Sequence, residues 1–268
     1  MNDVTFRDLQ KGLRDLGLTP QSRVIAHVSL SAFGHVRGGA EAMVGALTSA
    51  CGLVVVPTFT CQCLIAPLVG PENNGMTYRD RQDENEYAEM FQPHVPAHAD
   101  MGVTAETVRH LPGAVRSSHP LLSFAAVGSG AEAVMSAQTL AEPLGPIGRL
   151  AAEGGEALLL GVDHARNTAI HYAERRAGRK QFIRWALTPM GVVQCPGWPG
   201  CSEGFNALAP HVASFTRTVR IGPALVQLIR LGELLQTAEQ LIRADPTALL
   251  CDNPDCERCS AVRAVVVR

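Results

Sequence analysis

No apolar run in this chain approaches the ~20 residues a bilayer-spanning helix needs; Leu53 to Pro57, one of the most apolar stretches, is far too short. Residues 1–17 lack the apolar core of a signal peptide. Excess charge is missing too. Lys and Arg number 23 against 25 Asp and Glu, and no basic stripe is interleaved with aromatics, so nucleic acid is not an expected partner. Repeats and low-complexity linkers are absent. What remains is a chain of 268 residues, 46% of them apolar, enough for a full hydrophobic core. The expectation is a soluble, cytoplasmic protein in which eight cysteines serve as reduced thiols or metal ligands rather than as a disulfide framework.

The order of elements points to an α/β layer fold. Phe6, Leu9, Leu13 and Leu16 recur at helical spacing behind Thr5, a good N-cap, and Gly17 ends that helix. Arg23 to Val28 reads as a buried strand. A glycine-rich loop, Ser29 to Gly39, leads into a helix over Ala40 to Ala50, and Leu53 to Pro57 reads as a second buried strand. From Gln62 to Ala99 regular patterning stops. Acidic residues cluster there between Tyr78 and Glu89, with prolines around them, as in a lid or binding loop. Helices are expected over Thr104 to Leu111 and Ala131 to Gln138, and strands over Leu122 to Val127, Glu156 to Val162 and Phe182 to Val193. Val226 to Arg243 reads as mostly helical with a break at Gly232. The fold class is therefore one layered α/β domain over 1–268, a central mixed sheet flanked by helices. An irregular acidic insertion and a cysteine-containing C-terminal part complete it.

Three segments carry chemistry. In Gly161-Val-Asp-His-Ala-Arg-Asn-Thr-Ala-Ile-His-Tyr-Ala-Glu174, a strand runs through a polar turn into a helix that starts near Asn167 or Thr168. His171 and Glu174 are three apart and share one helix face. A carboxylate beside a histidine fixes the imidazole tautomer and raises its basicity, an arrangement suited to proton transfer. The alternative is an amphipathic helix whose histidine is merely half-buried. The loop Ser29-Leu-Ser-Ala-Phe-Gly-His-Val-Arg-Gly-Gly39 joins a strand to a helix. Its glycines allow close backbone approach and the helix start offers N–H groups to an anion, so it fits a phosphate or pyrophosphate cradle; a plain strand–helix turn is the alternative. It is neither a Walker loop nor a dinucleotide fingerprint. In Arg116-Ser-Ser-His-Pro120, His119 is either a site residue or part of a turn.

Taken together, these segments resemble the aminoglycoside 3-N-acetyltransferase family, an antibiotic-resistance family that uses acetyl-CoA. The resemblance rests on Ala26 through Gly39, Val56-Pro-Thr-Phe-Thr60, Met101-Gly-Val-Thr-Ala-Glu106, Pro112 through Pro120 with Ser123, and Gly161 through Glu174, which keep the family's order. It implies that the Ser29 to Gly39 loop holds the pyrophosphate and pantetheine of CoA, with Ser29, Leu30, Ser31, Val36, Gly38 and Gly39 nearest. It implies further that Thr58 and Thr60 line the same channel and that Ser117 and His119 sit near the cofactor. His171 would be the catalytic base with Glu174 as its orienting partner, and His27 would face the same pocket. One departure stands out. Family members commonly carry His-Ser-Ser-Leu where this chain has His27-Val28-Ser29-Leu30, so one hydroxyl is missing.

The chemistry agrees with this reading. Aminoglycoside amines are largely protonated near neutral pH, and acetyl transfer needs a neutral amine, so a base must take the proton as the amine attacks the thioester. Backbone N–H donors can stabilise the charge on the thioester oxygen. A polycationic acceptor calls for acidic walls, for which Asp80, Asp83, Glu84, Glu86, Glu89, Glu203 and Asn206 are candidates; most such groups are simply solvated surface charges. Another amine of secondary metabolism is the alternative acceptor. A hydrolase ranks low, because no nucleophile elbow of the Gly-x-Ser-x-Gly type is read in the chain. Cys251, Cys256 and Cys259 have zinc-like spacing that Cys195 or Cys201 would complete, as a structural clip; buried free thiols are the simpler alternative, and no metal ligand is assigned.

Overall fold

The computed structural model describes residues 3–266, the side chain of Asp80 excepted. Its helices are α1 (Phe6–Asp15), α2 (Gly39–Ala50), α3 (Gly102–Arg109), α4 (Ala131–Met135), α5 (Gly145–Ala152), α6 (Ala169–Arg176), α7 (Ala209–Val212), α8 (Leu231–Ala244) and α9 (Glu257–Val266). Its strands are β1 (Arg23–Val28), β2 (Leu53–Pro57), β3 (Leu64–Ile65), β4 (Val115–Arg116), β5 (Phe124–Gly128), β6 (Glu156–Leu160), β7 (Phe182–Thr188), β8 (Gly191–Trp198), β9 (Thr216–Ile221) and β10 (Ala224–Arg230).

Seven strands form a mixed sheet in the order β4-β5-β2-β1-β6-β10-β9. At its centre β1 runs parallel to both β2 and β6. The pleat sorts side chains to two cores. Val24, Ala26, Val54, Val56, Leu158 and Leu160 face a cluster that includes Leu9, Leu13, Met43 and Leu47 from α1 and α2. Ile25, Leu53, Val55, Ala157 and Leu159 face the other, with Ile147, Leu150, Ile170, Leu234 and Leu235 from α5, α6 and α8. Helices therefore cover both faces, which is why the central strands read as continuous apolar runs. The layered fold with a mixed central sheet is as the sequence led us to expect. A separate sheet, β3-β7-β8, carries the irregular segment on one edge.

One expectation is overturned. Val226 to Arg243 is not a broken helix: Ala224–Arg230 is a strand, antiparallel to both β6 and β9, and α8 begins only at Leu231 and contains Gly232. The two-residue turn Gly222-Pro223 creates the hairpin, with Gly222 at φ +56°. Such turns require the left-handed conformation that glycine adopts without strain. Val226 and Leu228 face one core and Ile229 the other, the alternation of a strand rather than the spacing of a helix.

Candidate active site

The parallel strands β1, β2 and β6 all end at one crevice, the position at which open α/β sheets bind ligands. Residues 26–28, 56–57 and 161–163 line it, together with the loop after β1 and the start of α3. The cleft measures about 1330 Å³, larger than the ~300–1,000 Å³ typical of small-molecule pockets and roomy enough for an extended cofactor.

Ser29, Leu30, Ser31, Val36, Gly38 and Gly39 all lie on its wall. The Ser29 and Ser31 hydroxyls are 3.2 Å apart, and the chain then turns through Gly34, Gly38 and Gly39, each at positive φ. Helix α2 starts at Gly39 with no side-chain cap; the Gly39 N–H donates to the Val36 carbonyl at 3.0 Å, while the next two, of Ala40 and Glu41, make no hydrogen bond among the described residues and remain open to an anion. Gly161, at φ +67°, closes the opposite wall. A Cβ there would lie 2.5 Å from that of Ala32, so no side chain fits where β6 meets the loop.

Helix α6 approaches the cleft with its N-terminus. Of the two candidate caps, Asn167 is the one used: its Oδ1 accepts the Ala169 N–H at 3.2 Å, while Thr168 makes no side-chain cap bond. The Thr168 N–H instead donates to His27 Nε2 at 3.1 Å, tying the end of β1 to the first turn of α6. Thr168 reaches the cleft wall, and His171 lies one turn further into the protein, its N–H bonded to the Thr168 carbonyl at 3.1 Å.

His171 Nδ1 and Glu174 Oε2 are 2.6 Å apart. Glu174 is fully buried, and its other oxygen accepts from Arg179 Nη1 at 2.8 Å; Arg179 in turn donates to the carbonyls of Pro246 and Ala248. A carboxylate held this way accepts from Nδ1–H and leaves the lone pair of the neutral imidazole on Nε2. That nitrogen makes no hydrogen bond among the described residues and is not one of the sealed, partnerless nitrogens of the core. The ring edge packs on Phe205, with centroids 4.7 Å apart. Neither Arg179 nor Phe205 was legible in the sequence, because each reaches the site through tertiary packing from a segment without helix or strand periodicity.

His27 is different, and its assignment to catalysis needs correction. It faces the cleft, but its Nε2 lone pair is committed to Thr168, so the proton sits on Nδ1, which is sealed and has no partner among the described residues. Burial pushes its pKa down to about 4. No lone pair is left to take a proton, and the ring serves to position α6.

His171 and Glu174 stand behind the cleft wall rather than in it, and four further sequence-derived candidates also lie off the cleft. Thr58 and Thr60 are fully buried; Thr58 Oγ1 pairs with Ser123 Oγ at 3.1 Å and Thr60 Oγ1 donates to the Pro120 carbonyl at 2.6 Å. The Ser117 hydroxyl accepts the Phe124 N–H at 2.8 Å across the β4–β5 pair. His119 Nδ1 accepts the N–H groups of Leu121 and Leu122 at 3.2 and 3.0 Å, the turn role that its position before Pro120 offered. Thr58 and Thr60 thus tie the end of β2 to the β5 side, Ser117 ties β4 to β5 and His119 closes its own turn, and none of the four lines the cleft. Arg116 extends this seam, donating to the carbonyls of Thr58, Pro93 and Val95 and so fastening the irregular segment to the sheet.

The acidic candidates also sit elsewhere. Asp83, Glu84, Glu86, Glu89 and Glu203 are exposed or half-buried and none lines the cleft, while Asp80's side chain lies outside the described residues. Among the described residues the cleft carboxylates are Asp100 and Asp163. Asn206 holds the second in place, donating to Asp163 Oδ2 at 2.8 Å and accepting the His164 N–H at 3.0 Å. Contrary to the expectation that the chain lacks it, Gly200-Cys201-Ser202-Glu203-Gly204 does spell Gly-x-Ser-x-Gly. It forms a loop running into a short 3-10 turn, and Ser202 has no histidine partner among the described residues, so it is no nucleophile elbow.

Residues 25–243 match the family model for aminoglycoside 3-N-acetyltransferases. The chain belongs to the aminoglycoside 3-N-acetyltransferase family. Aminoglycoside N(3)-acetyltransferase VII of Streptomyces paromomycinus is 37% identical over 187 residues, which cover 67% of this chain and 64% of that protein, just under two thirds of its length. The crystal structure of aminoglycoside acetyltransferase AAC(3)-IVa as apoenzyme superimposes with a TM-score of 0.78 at 26% identity, covering 98% of both chains. A histidine-to-alanine mutant of that enzyme, solved in complex with a gentamicin, superimposes with a TM-score of 0.76 at 26% identity and the same 98% coverage. No helix among the described residues is long and apolar enough to cross a membrane.

Proposed function

We propose that this chain transfers the acetyl group of acetyl-CoA to the 3-amine of an aminoglycoside, with His171 as general base. The observation that carries the reading is the Nδ1–Glu174 hydrogen bond, which leaves the Nε2 lone pair as the free basic atom. Family membership and the relatives' names support the reaction and the acceptor class. The uncapped start of α2 and the loop of Ser29 to Gly39 suit the pyrophosphate and pantetheine of the donor.

In this mechanism the amine nitrogen attacks the thioester carbonyl carbon while His171 Nε2 takes the amine proton. The tetrahedral intermediate collapses by breaking the carbon–sulfur bond, and the imidazolium returns its proton to the leaving CoA thiolate. No covalent acetyl-enzyme is needed, so no cysteine is asked to act. Glu174, neutralised on its far side by Arg179, stabilises the imidazolium formed in the step. Asp100 and Asp163 are the carboxylates placed to receive a cationic acceptor.

The test is acetyl-CoA turnover, followed by released thiol, across aminoglycosides with and without a free 3-amine. Turnover confined to those with the free amine is the expected result. Tight acetyl-CoA binding with no turnover of any aminoglycoside would overturn the assigned acceptor and move the search to other amines.

A further inference from the structure

Far apart in sequence, Cys201, Cys251, Cys256 and Cys259 meet at one point: their four sulfur atoms all lie within 4.8 Å of one another. Three of the four are buried and Cys256 is half-buried. Cys195, the other candidate partner in the sequence, is packed instead among Cys63, Leu121 and Ala186 and takes no part. The cluster is not a disulfide: the Cys251 and Cys259 sulfurs are 3.4 Å apart, well beyond the ~2.05 Å of an S–S bond.

We propose that these four cysteines bind one structural zinc ion that clips the C-terminal segment to the loop beneath His171. A zinc–sulfur distance of ~2.3 Å in a tetrahedron sets sulfur–sulfur edges at about 3.8 Å, so sulfurs already within 4.8 Å need shift by an ångström or less to ligate. That spacing holds one ion and leaves no room for a multi-iron cluster. Four soft sulfur donors in a closed set favour zinc over magnesium or calcium, and they leave no open position for substrate, so the ion is not a catalyst.

The need for a clip is visible in what surrounds it. Helix α9 docks through a small apolar contact, Ala261 and Val262 against Phe182, with little hydrophobic area to hold it. Yet it bridges two segments without regular structure. Arg258 donates to the Gly200 carbonyl at 2.9 Å, and Asn73 of the acidic insertion donates to the Ala261 carbonyl at 3.0 Å. The loop that starts at Gly200 carries Cys201 and then Phe205, whose ring packs on His171. Gly204 in that loop lies so close to the Leu250 carbonyl that a Cβ would stand 2.4 Å from its oxygen. Fixing the sulfurs to an ion would thus fix one wall of the histidine site.

The proposal rests on the cysteines and not on the acetyl-transfer reading, so the two fail separately. The full chain is purified from zinc-supplemented medium under reducing conditions, and its metal content and thiol reactivity are measured without any activity assay. The expected result is about one zinc per chain, retained by Cys61→Ser and lost in Cys256→Ser. Displacing the zinc with a mercurial in the presence of a zinc dye should release it stoichiometrically, and stripping it should lower Tm by several degrees. Because Cys256→Ser could fail to fold, the wild-type metal content is decisive. Four reactive thiols with no zinc, iron in place of zinc, or two disulfides by mass would each overturn the proposal.

Discussion

The Nδ1 of His171 lies 2.6 Å from Oε2 of Glu174, one turn along the same helix, and the other oxygen of that carboxylate is held by Arg179 at 2.8 Å. The carboxylate therefore has two duties: it sets the imidazole tautomer and it neutralises a buried guanidinium. Glu174→Gln keeps the shape and removes the charge. It should lower kcat about 10- to 100-fold, the range for losing such a partner, with KM for acetyl-CoA nearly unchanged. Because Arg179 is left without its counter-ion, the same variant should also lose a few kcal/mol of stability in denaturant unfolding. A full-rate variant would show that the carboxylate does not orient the base.

His27 ties β1 to the first turn of α6 through the Thr168 N–H. His27→Ala removes that acceptor and should lower kcat by roughly tenfold through a displaced His171, since small misplacements of a catalytic group are costly. His27→Asn, whose carbonyl oxygen can also accept a hydrogen bond, should recover part of the loss. Equal loss in both would mean that the imidazole itself takes part in the reaction.

Gly39 sits at φ +57° at the start of α2, where a side chain strains the backbone. A Cβ there meets little, its nearest neighbour being a Glu41 carboxylate oxygen at 3.6 Å, so the harm comes from conformation and not from a clash with the protein. Gly39→Val should weaken acetyl-CoA binding at least about tenfold by calorimetry. Unchanged affinity would place the pyrophosphate elsewhere.

Burial pushes the pKa of both His27 and His119 down to about 4, against an ordinary ~6.5 in the unfolded chain. Between those values the unfolded state binds the extra protons, so stability rises with pH. The contribution is complete above pH ~6.5 and is lost as pH falls toward 4, a change of about 3 kcal/mol for each histidine. Tm measured between pH 7.5 and 5 should fall, and His119→Asn, which can still accept from Leu121 and Leu122, should flatten the slope. An unaltered slope would mean that His119 does not titrate with unfolding.

Much of this was legible beforehand because it is local. Arg23–Val28 and Leu53–Pro57 are buried on both faces and read as strands from composition alone. The i to i+3 pairing of His171 with Glu174 follows from helix geometry once Asn167 marks the start. The loop at Ser29 to Gly39 was read from its glycines. What failed was non-local. Thr58, Thr60, Ser117 and His119 keep the order of the family's motifs, yet order does not say which way a hydroxyl or imidazole points, and theirs bind neighbouring strands and turns rather than the cleft. Arg179, Phe205 and Cys201 meet their partners only after segments far apart in sequence pack together. The Gly222-Pro223 hairpin was hidden because Val226 to Ile229 is apolar enough to pass for a buried helix.

The most direct measurement is steady-state acetyl-CoA turnover by His171→Ala with an accepted aminoglycoside, paired with calorimetric titration of acetyl-CoA into the same protein. General-base catalysis predicts a loss in kcat of at least about a hundredfold with donor affinity nearly unchanged. Turnover retained near the wild-type rate would remove His171 from the mechanism.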